Sequence, residues 1–376
     1  MSRFLGRIAD FIRETDKIML TLCLLASGYG VIAVFSATRH DASVRDTLVQ
    51  AFCAFVGMGA ALFISAFSFT EYLKRWYLAA LFGAVPVILT FFIGFAPAGT
   101  DDKAWLDLGF ITVQPSEFMK ICFIITFAAH LNAVKPNINK LKILLPVCLH
   151  GAFPVVLIFV QGDYGTALVF AVMVIVMLAC AGVSWKYFVA AFSSFVIASP
   201  FFYFFVLNNE HRARIVSLFN LEADIQGDGY QQYRARVALA NGGFSGQGYL
   251  KGSLTKVGGV PEGHNDFIFV SIGEELGFLG CMLVVILLAA ICLRALRVSV
   301  VCRNDSGKLI CIGFFAMIFA QMVINIGMCI SLLPVIGITL PFFSAGGTSL
   351  LTLFLGVGLV LSVYKHRNSR TIYLHD

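Results

Sequence analysis

The sequence predicts an all-α polytopic membrane protein of about ten transmembrane helices, with one large extracytoplasmic loop between helices 7 and 8. Three observations predict it. The chain of 376 residues is 59% hydrophobic and only 13% charged, where a soluble domain carries roughly a quarter charged residues. Its mean hydropathy is +0.87. Its apolar residues fall into runs of the length that crosses a bilayer, about 20 residues each. A compact aqueous domain and intrinsic disorder are both excluded by this excess of apolar surface.

Taken in order, the apolar runs bounded by charges or turn residues place spans at 18–36, 47–67, 76–95, 114–133, 143–160, 164–183, 187–207, 266–293, 309–331 and 349–364. Pro86 and Pro154 lie inside runs, which membrane helices tolerate because neighbouring helices satisfy the freed backbone groups. The first run lacks a small-residue cleavage site and leads into further spans, so it reads as a span and not a signal peptide. The whole chain, 1–376, reads as a single membrane domain.

Orientation follows from the basic residues. With the N-terminus inside, seventeen of the 27 Lys and Arg fall on the inner side, and six of the remaining ten lie in the one long loop, where the positive-inside rule is weak. Both termini are therefore expected in the cytoplasm. The net charge of +6 is explained by these short clusters. No basic stripe with interleaved aromatics occurs, so nucleic acid is excluded as a partner. Nine of the ten cysteines fall in spans and Cys302 in an inner loop. They have no metal-ligand spacing and read as packing residues, with no metal site.

The long loop covers about 208–265, and a loop of that length is usually functional. Within it, 212–219 reads as a short interfacial helix and 230–241 as an amphipathic one. No internal repeat is visible, which weighs against an inverted-repeat transporter.

Ionisable groups in or at the ends of spans are costly and mark function. In QPSEFMK, Glu117 and Lys120 stand three apart on one helix face and can pair, either as a pair reaching the interface or as a pair inside a cavity. Asp163 in QGDYG has the chemistry of a tight turn. Asp266 in GHNDFIF stands where the long loop enters the eighth span, with Glu262 and His264 beside it. It is either a helix cap or a carboxylate at a membrane entrance able to act as a general base. Glu274 and Glu275 follow in IGEELG, structural or part of a site. Arg212, Arg214, Arg234 and Arg236 make the loop cationic near its ends, which suits either a headgroup face or bidentate binding of phosphate oxygens. Walker A, GxSxG and HExxH patterns are absent, so ATP hydrolysis, serine hydrolysis and zinc proteolysis have no support.

Four blocks together resemble one family. They are the SAT of Ser36 to Thr38, WLDLGFITVQPSEFMK, the GYQ that leads through GG and GQG to PEGHNDFIFVSIGEELGFLG, and NIGMCISLLPVIGITLPFFSAGGTSLLT. In this order and spacing the chain resembles the shape, elongation, division and sporulation (SEDS) proteins, which include RodA, FtsW and SpoVE. WLDLG and GDYGTALVF lean toward the elongation member, RodA, while GDGYQ, GHNDF and GITLPFFS are shared with the division side.

The resemblance implies ten spans in the bacterial plasma (inner) membrane, with both termini cytoplasmic. It implies a peptidoglycan glycosyltransferase that polymerises lipid II: the sugar 4-hydroxyl of one lipid-linked disaccharide attacks the anomeric carbon of another, and a polyprenyl diphosphate leaves. Asp266 matches the base for that hydroxyl. Glu117 and Lys120 match cavity charges, with Lys120 as the partner of Asp266. Arg212 and Arg214 match loop arginines near the diphosphate, and Asp163, Glu262 and His264 are carried as further substrate-binding candidates. No certain cofactor is implied and no ligand set is evident in the sequence, while a divalent cation would suit the departing diphosphate.

The implied partners are a class B penicillin-binding protein that supplies transpeptidation, membrane lipids, and other proteins of the elongation or division complex. A lipid II flippase is the alternative, with charges expected along the whole crossing, and a non-catalytic scaffold comes third. The chain departs from the family pattern at Lys103 and Ala104, at Ala345, and at Arg234 and Arg236.

Overall fold

The structure, a computed structural model, describes residues 14–39, 44–96, 103–107, 109, 112–206, 212 and 229–368. Ten of its helices are long and apolar enough to cross a membrane. The first seven are α1 (Lys17–Ala37), α2 (Arg45–Ala66), α3 (Trp76–Ile93), α4 (Pro115–Val134), α5 (Leu141–Val160), α6 (Tyr164–Ala181) and α7 (Trp185–Phe201). The long-loop helix follows as α8 (Tyr230–Gly242), then α9 (Ile268–Val301), α10 (Asp305–Cys329) and α11 (Gly347–Lys365). All ten expected spans are present, and the loop helix expected at 230–241 is α8. The expected helix at 212–219 lies, apart from Arg212, outside the described residues. The sequence had no signal for a small antiparallel hairpin, β1 (Leu106–Asp107) and β2 (Thr112–Val113), which leads into α4.

The helix ends follow local chemistry. Asp16 caps α1, its carboxylate accepting from the Met19 N–H, as an N-cap acceptor should. Pro115 opens α4, where its missing N–H costs nothing. Asn304 caps α10 through the Ser306 and Gly307 N–H groups.

α4, α10 and α11 form the enclosed centre, while α2 and α3 are largely peripheral. Small residues bring the backbones together where α2 meets α11, Gly57 against Phe354 and Gly358 against Ala61. In lipid such close van der Waals packing replaces the hydrophobic drive of aqueous folding. α7 is the outlier, with no residue of its most apolar window buried.

Both ends of the described chain lie on one face of the bundle. Glu14 meets Lys365 at 3.7 Å, Asp16 takes a two-bond contact from Arg294 at 2.7 and 2.9 Å, and the Arg303 N–H reaches the Arg367 carbonyl. The described part of the long loop, 229–265, and the junctions before α4, α6 and α9 therefore occupy the opposite end. The candidate chemistry is collected there.

Candidate active site at the loop-bearing end of the bundle

The helices place the candidates by short contacts that can be followed from one to the next. Asp266 lies one residue before the cap of α9. That cap is Phe267, which makes no side-chain cap bond, so Asp266 is not the cap of this helix. Its position is fixed through its backbone. The Asp266 carbonyl accepts from Asn325 Nδ2 at 2.7 Å and lies 3.5 Å from Cys329 Sγ, both on α10. Asn325 Nδ2 also donates to the Ile338 carbonyl at 2.6 Å, and Asn325 is wholly buried. One amide thus ties Asp266 to the segment that follows α10.

That segment, 336–346, runs beneath the GHNDF turn. The Ala345 N–H donates to the His264 carbonyl at 2.8 Å, and Ser344 Oγ donates to the Asn265 carbonyl at 2.8 Å. Gln50 of α2 fastens its far side, donating to the Ser344 carbonyl and accepting from the Gly346 N–H. Gly337 adopts a φ of +65°, a conformation that favours glycine. A Cβ there would stand 3.6 Å from Asp266 Oδ2, so the carboxylate faces this turn.

The neighbours of Gly337 lead on to α6. Gly165 packs so closely on the Ile336 carbonyl and the Ile338 side chain that a side chain at 165 has no room. Two residues earlier, Asp163 caps α6, accepting from the Thr166 N–H at 2.9 Å, and it also accepts from Gln114 Nε2 at 2.9 Å. The turn role read for Asp163 holds as a helix cap. The Gln114 bond adds a link to α4 that spacing alone does not reveal.

Gln114 stands immediately before α4. One turn into that helix, Lys120 Nζ and Glu117 Oε1 form an ion pair of 2.8 Å, with both side chains almost fully enclosed. Of the two alternatives read from the sequence, enclosure inside the protein is the one this burial fits. Among the described residues the ion-pair partner of Lys120 is Glu117, where the resemblance pointed to Asp266. The second carboxylate oxygen, Glu117 Oε2, is buried without a hydrogen-bond partner among the described residues.

Glu274 and Glu275 are anchors for the long loop. Glu274 accepts from Ser253 Oγ, the Leu254 and Thr255 N–H groups and Thr255 Oγ1, at 2.7 to 3.0 Å. Glu275 accepts from Ser36 Oγ at 2.6 Å, which joins the SAT block of α1 to the IGEELG block of α9. At Gly277 the backbone leaves helical geometry with φ +65°. The loop uses this break: Gly248 N–H reaches the Glu275 carbonyl, and Phe278 N–H reaches the Gly243 carbonyl. Tyr249 donates to the Ile32 carbonyl, and burial pushes its hydroxyl pKa up, with the Glu275 carboxylate adding to the effect.

Charge-assisted bonds of this kind are each worth about 1.5–3 kcal/mol. Glu274→Leu is therefore expected to release the 250–258 segment. Amide exchange at Leu254 and Thr255 should rise at least tenfold, about 1.4 kcal/mol or more of local protection, with the transmembrane amides unchanged.

The other loop candidates are placed as follows. Glu262 is exposed with φ +49°, and its carboxylate accepts from Asn265 Nδ2 at 2.8 Å, which shapes the turn before Asp266. His264 is half-buried and held through its carbonyl. Arg212 donates to the Phe204 carbonyl at 2.7 Å, and its guanidinium stands 6.0 Å from the Tyr203 ring, so it sits against the end of the α7 region. Arg214 lies outside the described residues. Arg234 donates to the Gly259 carbonyl at 2.7 Å, which makes this departure from the family pattern a loop brace, while Arg236 is exposed. Among the described residues no three His, Cys, Asp or Glu side chains gather to hold a metal ion.

The family model described as cell cycle protein, covering FtsW, RodA and SpoVE, matches residues 16–369. The chain belongs to this family. It is similar to the peptidoglycan glycosyltransferase MrdB of Escherichia coli K12, 28% identical over 354 residues, covering 94% of each chain. It is similar as well to stage V sporulation protein E of Bacillus subtilis, 32% identical over 365 residues, covering 93% of this chain and 97% of the relative. Among solved structures, the fold matches a chain from work on the structural coordination of polymerization and crosslinking by a peptidoglycan synthase complex. The TM-score is 0.82 at 23% identity, over 95% of this chain and 99% of that one. It also matches the rod shape determining protein RodA of Thermus thermophilus, with a TM-score of 0.69 at 24% identity, over 95% and 98% of the two chains.

Sequence reasoning missed Asn325, Gln50 and Ser344, the residues that hold the Asp266 turn in place. The available signal was an uncharged amide inside an apolar run, as in MVINIGM around Asn325.

Proposed function

We propose that this SEDS protein is a peptidoglycan glycosyltransferase that polymerises lipid II at the outer face of the bacterial plasma membrane. The observation that carries the proposal is the set of contacts and chain neighbours linking Asp266 at the 336–338 turn, Gly165 packed on that turn, Asp163 and Gln114 to the buried Glu117–Lys120 pair. In a membrane, that concentration of polar groups at one end of an apolar bundle requires a functional reason.

In this reading Asp266 takes the proton of the acceptor 4-hydroxyl as its oxygen bonds to the donor's anomeric carbon. The bond from that carbon to the diphosphate breaks, and the polyprenyl diphosphate leaves with the electron pair. Removing the proton in the transition state is worth about 10²–10⁴ in rate. Lys120 supplies a fixed positive charge in a low-dielectric site, where it stabilises developing negative charge more than water would. Arg212 and Arg214 serve the diphosphate from the loop, and Asp163, Glu262 and His264 shape the rim.

The amphiphilic substrate needs a lateral way in from lipid, and the exposed α7 supports one beside the loop. The excess of Lys and Arg that the sequence assigns to the inner segments, seventeen of 27, supports a cytoplasmic location for the end where the described chain begins and ends. A single-span class B penicillin-binding protein is the proposed partner for crosslinking.

The test is polymerisation of fluorescent lipid II by the purified full chain, with and without such a partner. A ladder of glycan products supports the reading. If the protein with its partner makes no polymer but scrambles lipid II between leaflets of proteoliposomes, the flippase reading replaces it.

A further inference from the structure

Three buried polar atoms without a hydrogen-bond partner among the described residues belong to three different helices: Glu117 Oε2 on α4, Gln321 Oε1 on α10 and Thr352 Oγ1 on α11. Glu117 is 5% exposed, Gln321 and Thr352 1% each. Helical geometry, anchored on observed contacts, brings them to one place.

Gly356 of α11 packs against both Phe314 of α10 and Ile121 of α4, and Gly313 of α10 packs against Ile124 of α4. These contacts fix the facing sides and the relative heights of the three helices. An α-helix turns about 100° and rises about 1.5 Å per residue. Glu117 is four residues before Ile121 and seven before Ile124, so it points between the directions of those two, into the junction of α10 and α11. Thr352 is four residues before Gly356, at the same height as Glu117 because α4 and α11 run parallel. Gln321 is seven residues beyond Phe314 on its face, and α10 runs antiparallel. Counting seven residues up from the Gly313–Ile124 contact brings Ala320, the neighbour of Gln321, level with Glu117. Helix geometry thus turns the three side chains toward one junction of α4, α10 and α11, and no hydrogen bond joins the three unpartnered atoms among the described residues.

Two of the groups, the carboxylate oxygen and the amide oxygen, can only accept, and the third is a hydroxyl free to donate. A single water that donates twice and accepts once satisfies all three, the usual complement for a buried water. A cation is disfavoured there, because the Lys120 ammonium stands 2.8 Å from the other oxygen of the same carboxylate.

We infer that Gln321 and Thr352, through one shared buried water, hold the free oxygen of Glu117 and thereby set the position of the Lys120 ammonium in the site. They are positioning residues for the transfer reaction. α10 then serves both halves of the site one turn apart, with Gln321 governing the ion pair and Asn325 governing Asp266. The inference deepens the glycosyltransferase reading and rests on it for the catalytic consequence, although the water itself does not depend on that reading.

Two measurements on the full chain test it. In polymerisation of lipid II, Gln321→Met and Thr352→Val are each expected to lower kcat about tenfold or more, the scale at which a displaced catalytic group loses rate. KM should change less than twofold, and Thr352→Ser should retain wild-type kcat within twofold. Both apolar replacements keep the shape of the side chain, so any fall in melting temperature should be no more than the few degrees that one weakened buried hydrogen bond costs. Wild-type rates in both apolar variants, or a loss of rate equally large in Thr352→Ser, would overturn the positioning role. In a high-resolution map of the wild type, a water within hydrogen-bond reach of all three atoms is expected. A direct Gln321–Glu117 bond, or a junction closed by apolar side chains, would overturn the inference whether or not polymer is made. A wild type that makes no polymer strikes instead at the proposed function.

Discussion

Lys120→Met should cost both stability and activity, and the two losses should separate on a second substitution. The variant leaves the Glu117 carboxylate enclosed with no counter-charge, since the pair is almost fully buried. Breaking a buried ion pair from one side costs about 3–5 kcal/mol, which thermal denaturation in detergent reads as a clear drop in melting temperature. Adding Glu117→Gln removes the stranded charge and should recover most of that stability. Polymerisation should not recover, because the fixed positive charge is gone from the site. If the double variant regains activity along with stability, the pair is a structural brace and Lys120 has no part in the chemistry.

Asp266→Asn should lower polymerisation by about 10² to 10⁴, the range expected for loss of a positioned general base. The substitution isolates chemistry from folding for a reason visible in the contacts. Asn325 and Cys329 hold this residue by its backbone carbonyl, and the helix that follows does not use the side chain as its cap. The amide keeps the shape of the carboxylate and loses its capacity to take a proton, so melting temperature should change little. A large fall in melting temperature would assign Asp266 a structural duty instead.

Much of this molecule is legible in the sequence, and the reasons differ from part to part. Span positions follow from the length of apolar runs because the bilayer imposes that length. The sixth span, expected at 164–183, is observed as Tyr164–Ala181. Where a span ends is less legible. The eighth, expected to stop at 293, continues to Val301, because a helix can run on past the apolar layer when its charges find partners, as Arg294 finds Asp16. The hairpin before α4 has only two residues in each strand, too few to show a period.

The site divides in the same way. Asp266, Glu117 and Lys120 are visible because a charge in an apolar run is conspicuous. The roles of Glu274 and Glu275 are not, since Glu274 holds loop residues and Glu275 holds Ser36, more than 200 positions away. Asn325 and Gln321 escape notice because an uncharged amide in a membrane helix is tolerated in many places. Only the packing of α4, α10 and α11 shows what those amides face.

The measurement that bears most directly on the central claim is a side-by-side lipid II polymerisation of the wild type and Asp266→Asn, each with the proposed class B partner and each matched for melting temperature. A glycan ladder from the wild type and unreacted lipid II from the variant is the predicted result. A ladder of equal length and rate from Asp266→Asn would contradict it and remove Asp266 from the role of base.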